Sequence, residues 1–131
     1  MGADAVLFIM GAVEISLFQE WERLAESLGL AVLAESHNLA ELQQALTLKT
    51  PLIGVNNRDL TRFTTDTETT LRLQDDIPSD RIVVTESGVE SAEVAGRLEA
   101  HGICTFLIGG ALMRLADPGE GLAKLFPARL L

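Results

Sequence analysis

Five short apolar runs constrain this chain more than any other feature: Ala5–Ile9, Ala31–Ala34, Leu52–Val55, Ile82–Val84 and Thr105–Ile108. Each is continuous instead of alternating, the pattern of a strand covered on both faces. Their length is that of strands, too short for helices. Amphipathic segments separate them. Phe18, Trp21, Leu24, Ala25 and Leu28 line one helical face, with Ser16 as the candidate cap and Gly29 as the stop. Leu39, Leu42, Ala45 and Leu46 repeat the pattern behind the cap candidate Asn38. Shorter helices are expected over Thr67–Leu73, over Ser91–Ala100 up to Gly102, and over Gly119–Phe126 behind Asp117-Pro118. This β-α alternation implies an α/β protein with parallel strands joined by right-handed crossovers. Two architectures satisfy it. One is five β/α units of a (β/α)₈ barrel, a partial barrel; the other is an open flavodoxin-like five-stranded sheet with helices on both faces. A whole barrel takes about 200 to 250 residues. The 131 residues here read as a single domain, 1–131, with five units instead of eight.

Composition removes several functions. Acidic residues number 19 and basic residues 10, a formal net charge of −9, so no nucleic-acid partner is expected. No apolar run approaches the roughly 20 residues of a membrane helix, so no membrane partner is expected either. The first residues lack the basic start of a signal peptide. Cys104 has no partner in the chain, which excludes a disulfide scaffold and makes a reducing, cytoplasmic setting the default.

In parallel α/β proteins, chemistry gathers at the carboxyl ends of the strands. Here four successive runs are followed at once by polar or glycine residues: Glu35-Ser36-His37, Asn56-Asn57-Arg58-Asp59, Glu86-Ser87-Gly88 and Gly109-Gly110. Taken singly, each has a plain structural explanation as a turn, a cap or a solvated strand end. Taken together, all four face one mouth. Glu35 and Glu86 offer paired carboxylates for acid–base work. Asn56 offers a neutral donor and acceptor, and Arg58 a fork for carboxylate or phosphate. Ser87-Gly88 and Gly109-Gly110 let a ligand oxygen reach backbone N–H groups, and barrels commonly hold a phosphate after their last two strands. A small, polar, phosphorylated substrate, or a phosphate or sulfate ion, is the ligand this pattern suits.

Other residues carry less. Neither histidine nor Cys104 falls at metal-ligand spacing, so no metal is expected, and without G-x-G-x-x-G or a Walker motif no nucleotide is expected. His37 reads as a loop residue and His101 as a helix-end residue. Cys104, Phe18, Trp21 and Met113 read as packing residues, and "EWERLAE" as a solvated helix face.

Three segments resemble a known family. "PLIGVNNRDLTRFTTDTETTLRL", "RIVVTESGV" and "FLIGGALMRLADPG" are similar to indole-3-glycerol phosphate synthase of tryptophan biosynthesis, and "GADAVLFI" and "LGLAVLAESHNLAELQQAL" look like its preceding units. The resemblance implies strands four to eight of a (β/α)₈ barrel. It implies a lyase chemistry without cofactor: closure of the indole ring from a carboxyphenylamino-deoxyribulose phosphate with loss of carbon dioxide and water. By motif, Glu35 resembles the acid–base glutamate, Asn56 and Arg58 the substrate-orienting pair, and Glu86 and Ser87 the next polar residues. Gly88, Gly109 and Gly110 resemble phosphate-loop positions, Gly110 standing where a serine is often found, and Ser36 stands where valine is usual. The family's first three strands, which carry a general-acid lysine, have no counterpart here. The resemblance therefore implies an inactive carboxyl-terminal part, or alternatively a non-catalytic phosphate-binding or oligomerising fragment. Exposed strand edges would favour a homodimer or higher oligomer, or pairing with an N-terminal half-barrel.

Overall fold

The computed structural model describes residues 2–127. Five strands, β1 (Ala5–Ile9), β2 (Ala31–Ser36), β3 (Leu52–Asn56), β4 (Ile82–Glu86) and β5 (Thr105–Leu107), form one sheet in which every pair is parallel. Helices α1 (Ile15–Ser27), α2 (Leu39–Ala45), α3 (Glu68–Leu73) and α4 (Ala92–Ala100) make the crossovers; α5 (Gly110–Met113) and α6 (Pro118–Leu125) follow β5. The strand order is β1-β2-β3-β4-β5 without reversal. Right-handed crossovers that always advance in one direction put every helix on the same face. A flavodoxin-like sheet needs a reversal to clothe both faces, so that alternative is not what the chain forms. The arrangement is a segment of a barrel wall.

The two faces of the sheet differ accordingly. Toward the helices lie Phe8, Val32, Ala34, Ile53 and Val55, packed with Phe18, Ala25, Leu42, Ala45, Leu48 and Leu73. A smaller cluster under α4 and α6 gathers Val89, Ala95, Leu98 and Ile103 with Phe106 and Phe126. The opposite face carries Leu7, Ile9, Ile82 and Leu107, exposed by 44 %, 40 %, 46 % and 45 %. The continuous apolar runs predict cover on both sides; the structure supplies it on one.

The expected Asn38 cap holds, and two further caps are present. Asn38 caps α2 by accepting from Glu41 N–H, Ser91 caps α4 through Val94 N–H, and Asp117 caps α6 at Gly119 and Glu120. Other expectations change. Helix α1 starts at Ile15 behind Glu14, placing Ser16 in its first turn. Strands β2, β3 and β4 run past their apolar stretches to Ser36, Asn56 and Glu86, because ladder bonds join backbone atoms whatever the side chain. Cys104 is exposed, and so are Trp21 and Met113, although the Trp21 ring still meets Phe8 and Phe18 at centroid distances of 6.2 and 5.8 Å. Within "EWERLAE", Glu22 is buried: its carboxylate accepts from Lys49 N–H at 3.1 Å and Thr50 N–H at 2.8 Å, tying α1 to the approach of β3. Among the described residues no helix is long and apolar enough to cross a membrane.

Candidate functional site

Alternation along parallel strands fixes which side chains meet. The register Glu35↔Gly54↔Val84 runs across β2, β3 and β4, and Asn56 pairs with Glu86 one step further. Glu35 and Glu86 thus rise from the uncovered face on either side of β3, with Gly54 between them. A methyl group on Gly54 would overlap Glu86 Oε1 and lie 3.3 Å from Glu35 Cα. The missing side chain is the space through which Glu86 leans toward Glu35.

The two carboxyls lie close together in a buried site. Both carboxyl groups are buried. Asn56 Nδ2 donates to Glu35 Oε1 at 3.0 Å, and His37 Nε2 stands 3.1 Å from the same oxygen. Glu86 Oε1 is buried with no donor facing it, while Glu35 lies within hydrogen-bonding reach of Glu86. Two carboxylates cannot bond as two acceptors; a protonated Glu86 donating to Glu35 satisfies both. Burial first, then the hydrogen bond and the charge of Glu35, push the Glu86 carboxyl up to about 8. A carboxyl raised this far is suited to carry a proton into acid–base chemistry near neutral pH.

Asn57, which a turn reading would leave in solvent, is a buried tether. Its Nδ2 donates to Thr85 Oγ1 and to the Ser87 carbonyl, and its Oδ1 accepts from Thr70 N–H and Thr70 Oγ1. Asn56 Oδ1 accepts from Arg58 N–H at 2.9 Å. Asp59 accepts from Arg62 N–H and Thr61 N–H, which hold its carboxyl below the usual range. The resulting loop bounds a cleft of about 750 Å³ that also takes in His37, Glu41, Asn56 and Arg58.

A second pocket, of about 330 Å³, lies beyond β4 and β5. Arg58, Ser87, Gly88, Gly109, Gly110 and Arg114 line it, together with the Glu90 carboxyl. Ser87 and Gly88 both have positive φ, +64° and +81°, and a side chain on Gly88 would meet the Thr65 and Thr67 methyl groups at 2.7 and 3.1 Å. Neither Arg58 nor Arg114 has an ion-pair partner among the described residues. Two unpaired guanidinium groups at one pocket, in a chain of net charge −9, favour an anion.

The expected residues therefore fall into two neighbouring groups. Glu35, Asn56 and Glu86 meet at the carboxylate pair; Ser87, Gly88, Gly109 and Gly110 line the anion pocket; Arg58 borders both cavities. Sequence reasoning missed Arg114 and the His37–Glu41 contact. Both had a signal: Arg114 lies four residues past Gly110, and helical side chains lean toward the N-terminus. Asn38 with Glu41 three residues later is a capping-box spacing.

Comparison with known proteins gives a family match. A family model described as indole-3-glycerol phosphate synthase matches residues 1–125. Proteins named indole-3-glycerol phosphate synthase from Acidithiobacillus ferrooxidans, Burkholderia lata and Burkholderia cenocepacia are 56 %, 55 % and 54 % identical over 126 residues. Each alignment covers 96 % of this chain and 48 % of the relative, so the chain spans about half their length. A chain in the crystal structure of the Amycolatopsis orientalis BexX/CysO complex shares the fold, with TM-score 0.61 and 19 % identity over 86 % of this chain and 46 % of that one.

Proposed function

The chain belongs to the indole-3-glycerol phosphate synthase family, and on that premise we propose that it supplies the carboxylate pair and the phosphate pocket of the ring-closing site. The observation that carries this reading is the buried pair of Glu35 and Glu86, which approach each other across Gly54. Ring closure joins a carbon of the substrate chain to the aromatic ring, releases carbon dioxide, and then expels a hydroxyl group as water. The last step needs a proton delivered to the leaving oxygen and another removed from carbon. Two adjacent buried carboxyls, one of them raised to about 8, are placed to serve those transfers. Asn56 and Arg58 orient the substrate, and Ser87, Gly88, Gly109 and Gly110 receive its phosphate.

Acting alone, the 131 residues are expected to turn over negligibly. Their two lysines are Lys49, on the approach to β3 at the far end of the sheet, and Lys124, in α6. Neither places an ammonium group at the strand ends as general acid. A ring-closure assay on carboxyphenylamino-deoxyribulose phosphate tests this, with the chain alone and mixed with a fragment carrying three preceding β/α units. Activity only in the mixture supports the proposal; turnover of about 1 s⁻¹ or more by the chain alone overturns it. A non-catalytic anion-binding role is the second reading, favoured by the unpaired Arg58 and Arg114. Phosphate-ester binding without activity in either arm would select it.

The free edges of β1 and β5 and the apolar inner face support self-association. A homodimer is the expected form, and a monomeric mass by light scattering across a concentration series would count against it.

A further inference from the structure

His37 and Glu41 belong to neither the carboxylate pair nor the anion pocket, yet they lie directly behind Glu35. Glu41 Oε2 accepts from the His37 backbone N–H at 2.8 Å and stands 3.0 Å from His37 Nδ1; Glu41 Oε1 accepts from Asn38 Nδ2 at 2.9 Å. In an ordinary capping box the glutamate reaches only the backbone N–H of the cap residue. Here it reaches one residue further back and holds a side-chain ring. That ring is largely buried, and its opposite nitrogen, Nε2, faces Glu35 Oε1 at 3.1 Å. A helix cap needs none of this last contact.

We propose that His37, held by Glu41, is a positioning residue that fixes the Glu35 carboxylate against Glu86. Asn56 Nδ2 donates to Glu35 Oε1 from β3, and the His37 ring, whose Nε2 makes no hydrogen bond, packs within 3.1 Å of the same oxygen, so the Glu35 carboxyl is confined between the two on the side away from Glu86. Without the ring, Glu35 is free to turn toward the cleft and the contact with Glu86 is lost. Besides Glu35 and Glu41, the titratable and charged groups bordering His37 in the cleft are Arg58, Asp59, Arg62, Asp66 and Arg72. This inference deepens the acid–base reading above and rests on it for its role in catalysis, but its test does not need turnover.

The test is a carboxyl-carbon NMR titration of Glu86 in the 131-residue chain, with His37→Ala, His37→Gln and Glu41→Ala. His37→Ala is expected to lower the Glu86 midpoint by about one pH unit, a tenfold loss of proton affinity. His37→Gln, whose amide nitrogen can occupy the place of Nε2, should restore most of it. Glu41→Ala, which frees the ring but leaves it present, should give an intermediate shift. Unchanged midpoints in His37→Ala and Glu41→Ala overturn the proposal, as does a His37→Gln midpoint equal to that of His37→Ala. If His37→Ala does not fold, the Glu41→Ala and His37→Gln midpoints decide. Failure of ring closure with these shifts intact would sink the proposed function and leave the positioning role standing.

Discussion

The carboxylate pair and the anion pocket are neighbours on the same strand ends, yet they are built in opposite ways. Around Glu35 and Glu86 the polar groups are buried and close together: Asn56 donates to Glu35, the His37 ring packs beside it, Glu86 leans toward it across Gly54, and Asn57 fastens the next turn beneath. Around Gly109 and Gly110 the backbone is exposed, and Arg58 and Arg114 have no ion-pair partner among the described residues. A buried, crowded cluster resists change; an open, charged one is accessible to a ligand. The first is therefore expected to respond to substitution mainly in stability and titration, the second mainly in affinity.

Gly54→Val is the strongest way to break the closed side. The new side chain overlaps Glu86 Oε1 and crowds Glu35 Cα, and overpacking of this kind costs about 1–3 kcal/mol. Chemical denaturation should show that loss, and the Glu86 midpoint should fall as the carboxyl is driven off its partner. Next comes the open side. Replacing Arg58 and Arg114 together by alanine should weaken binding of a phosphate monoester at least tenfold, about 1.4 kcal/mol, while the denaturation midpoint stays where it was. Calorimetric titration checks this, and Gly109→Val should also weaken binding by blocking the approach to the backbone. Equal affinity in all variants would remove the pocket from the site.

A further effect concerns pH. Folded Glu86 keeps its proton up to about 8, against 4.5 for an ordinary glutamate, so folding takes up a proton between those values. The stability contributed by this group is complete below about pH 4.5 and lost as pH rises through 8. Glu86→Gln should flatten that decline in thermal melts across pH 5–8. An unchanged slope would show that the proton is not held there.

Much of this was legible in the residues. Strand positions follow from apolar runs because burial selects them, and the polar tails that end them mark the active face. The strand ends themselves were harder to place: Glu35, Asn56 and Glu86 lie inside the ladder, and backbone pairing leaves no trace in side-chain polarity. Glu22 and Asn57 look like surface residues because the groups that bury and bond them lie 13 to 30 positions away. The exposed Leu7, Ile9 and Ile82 run the other way. Their pattern is written for an apolar cover on the inner face, and no element among the described residues provides it.

The unreversed strand order also bears on how the sheet is made. Each strand pairs only with strands adjacent to it in the chain, so loop closure between partners is short and its entropic cost is modest. Every β/α unit can dock on the one before it as soon as it is synthesised, without waiting for a distant strand to arrive. Folding can then advance from β1 toward β5 in the direction of translation. In that order the three-residue β5 would add to a template already in place.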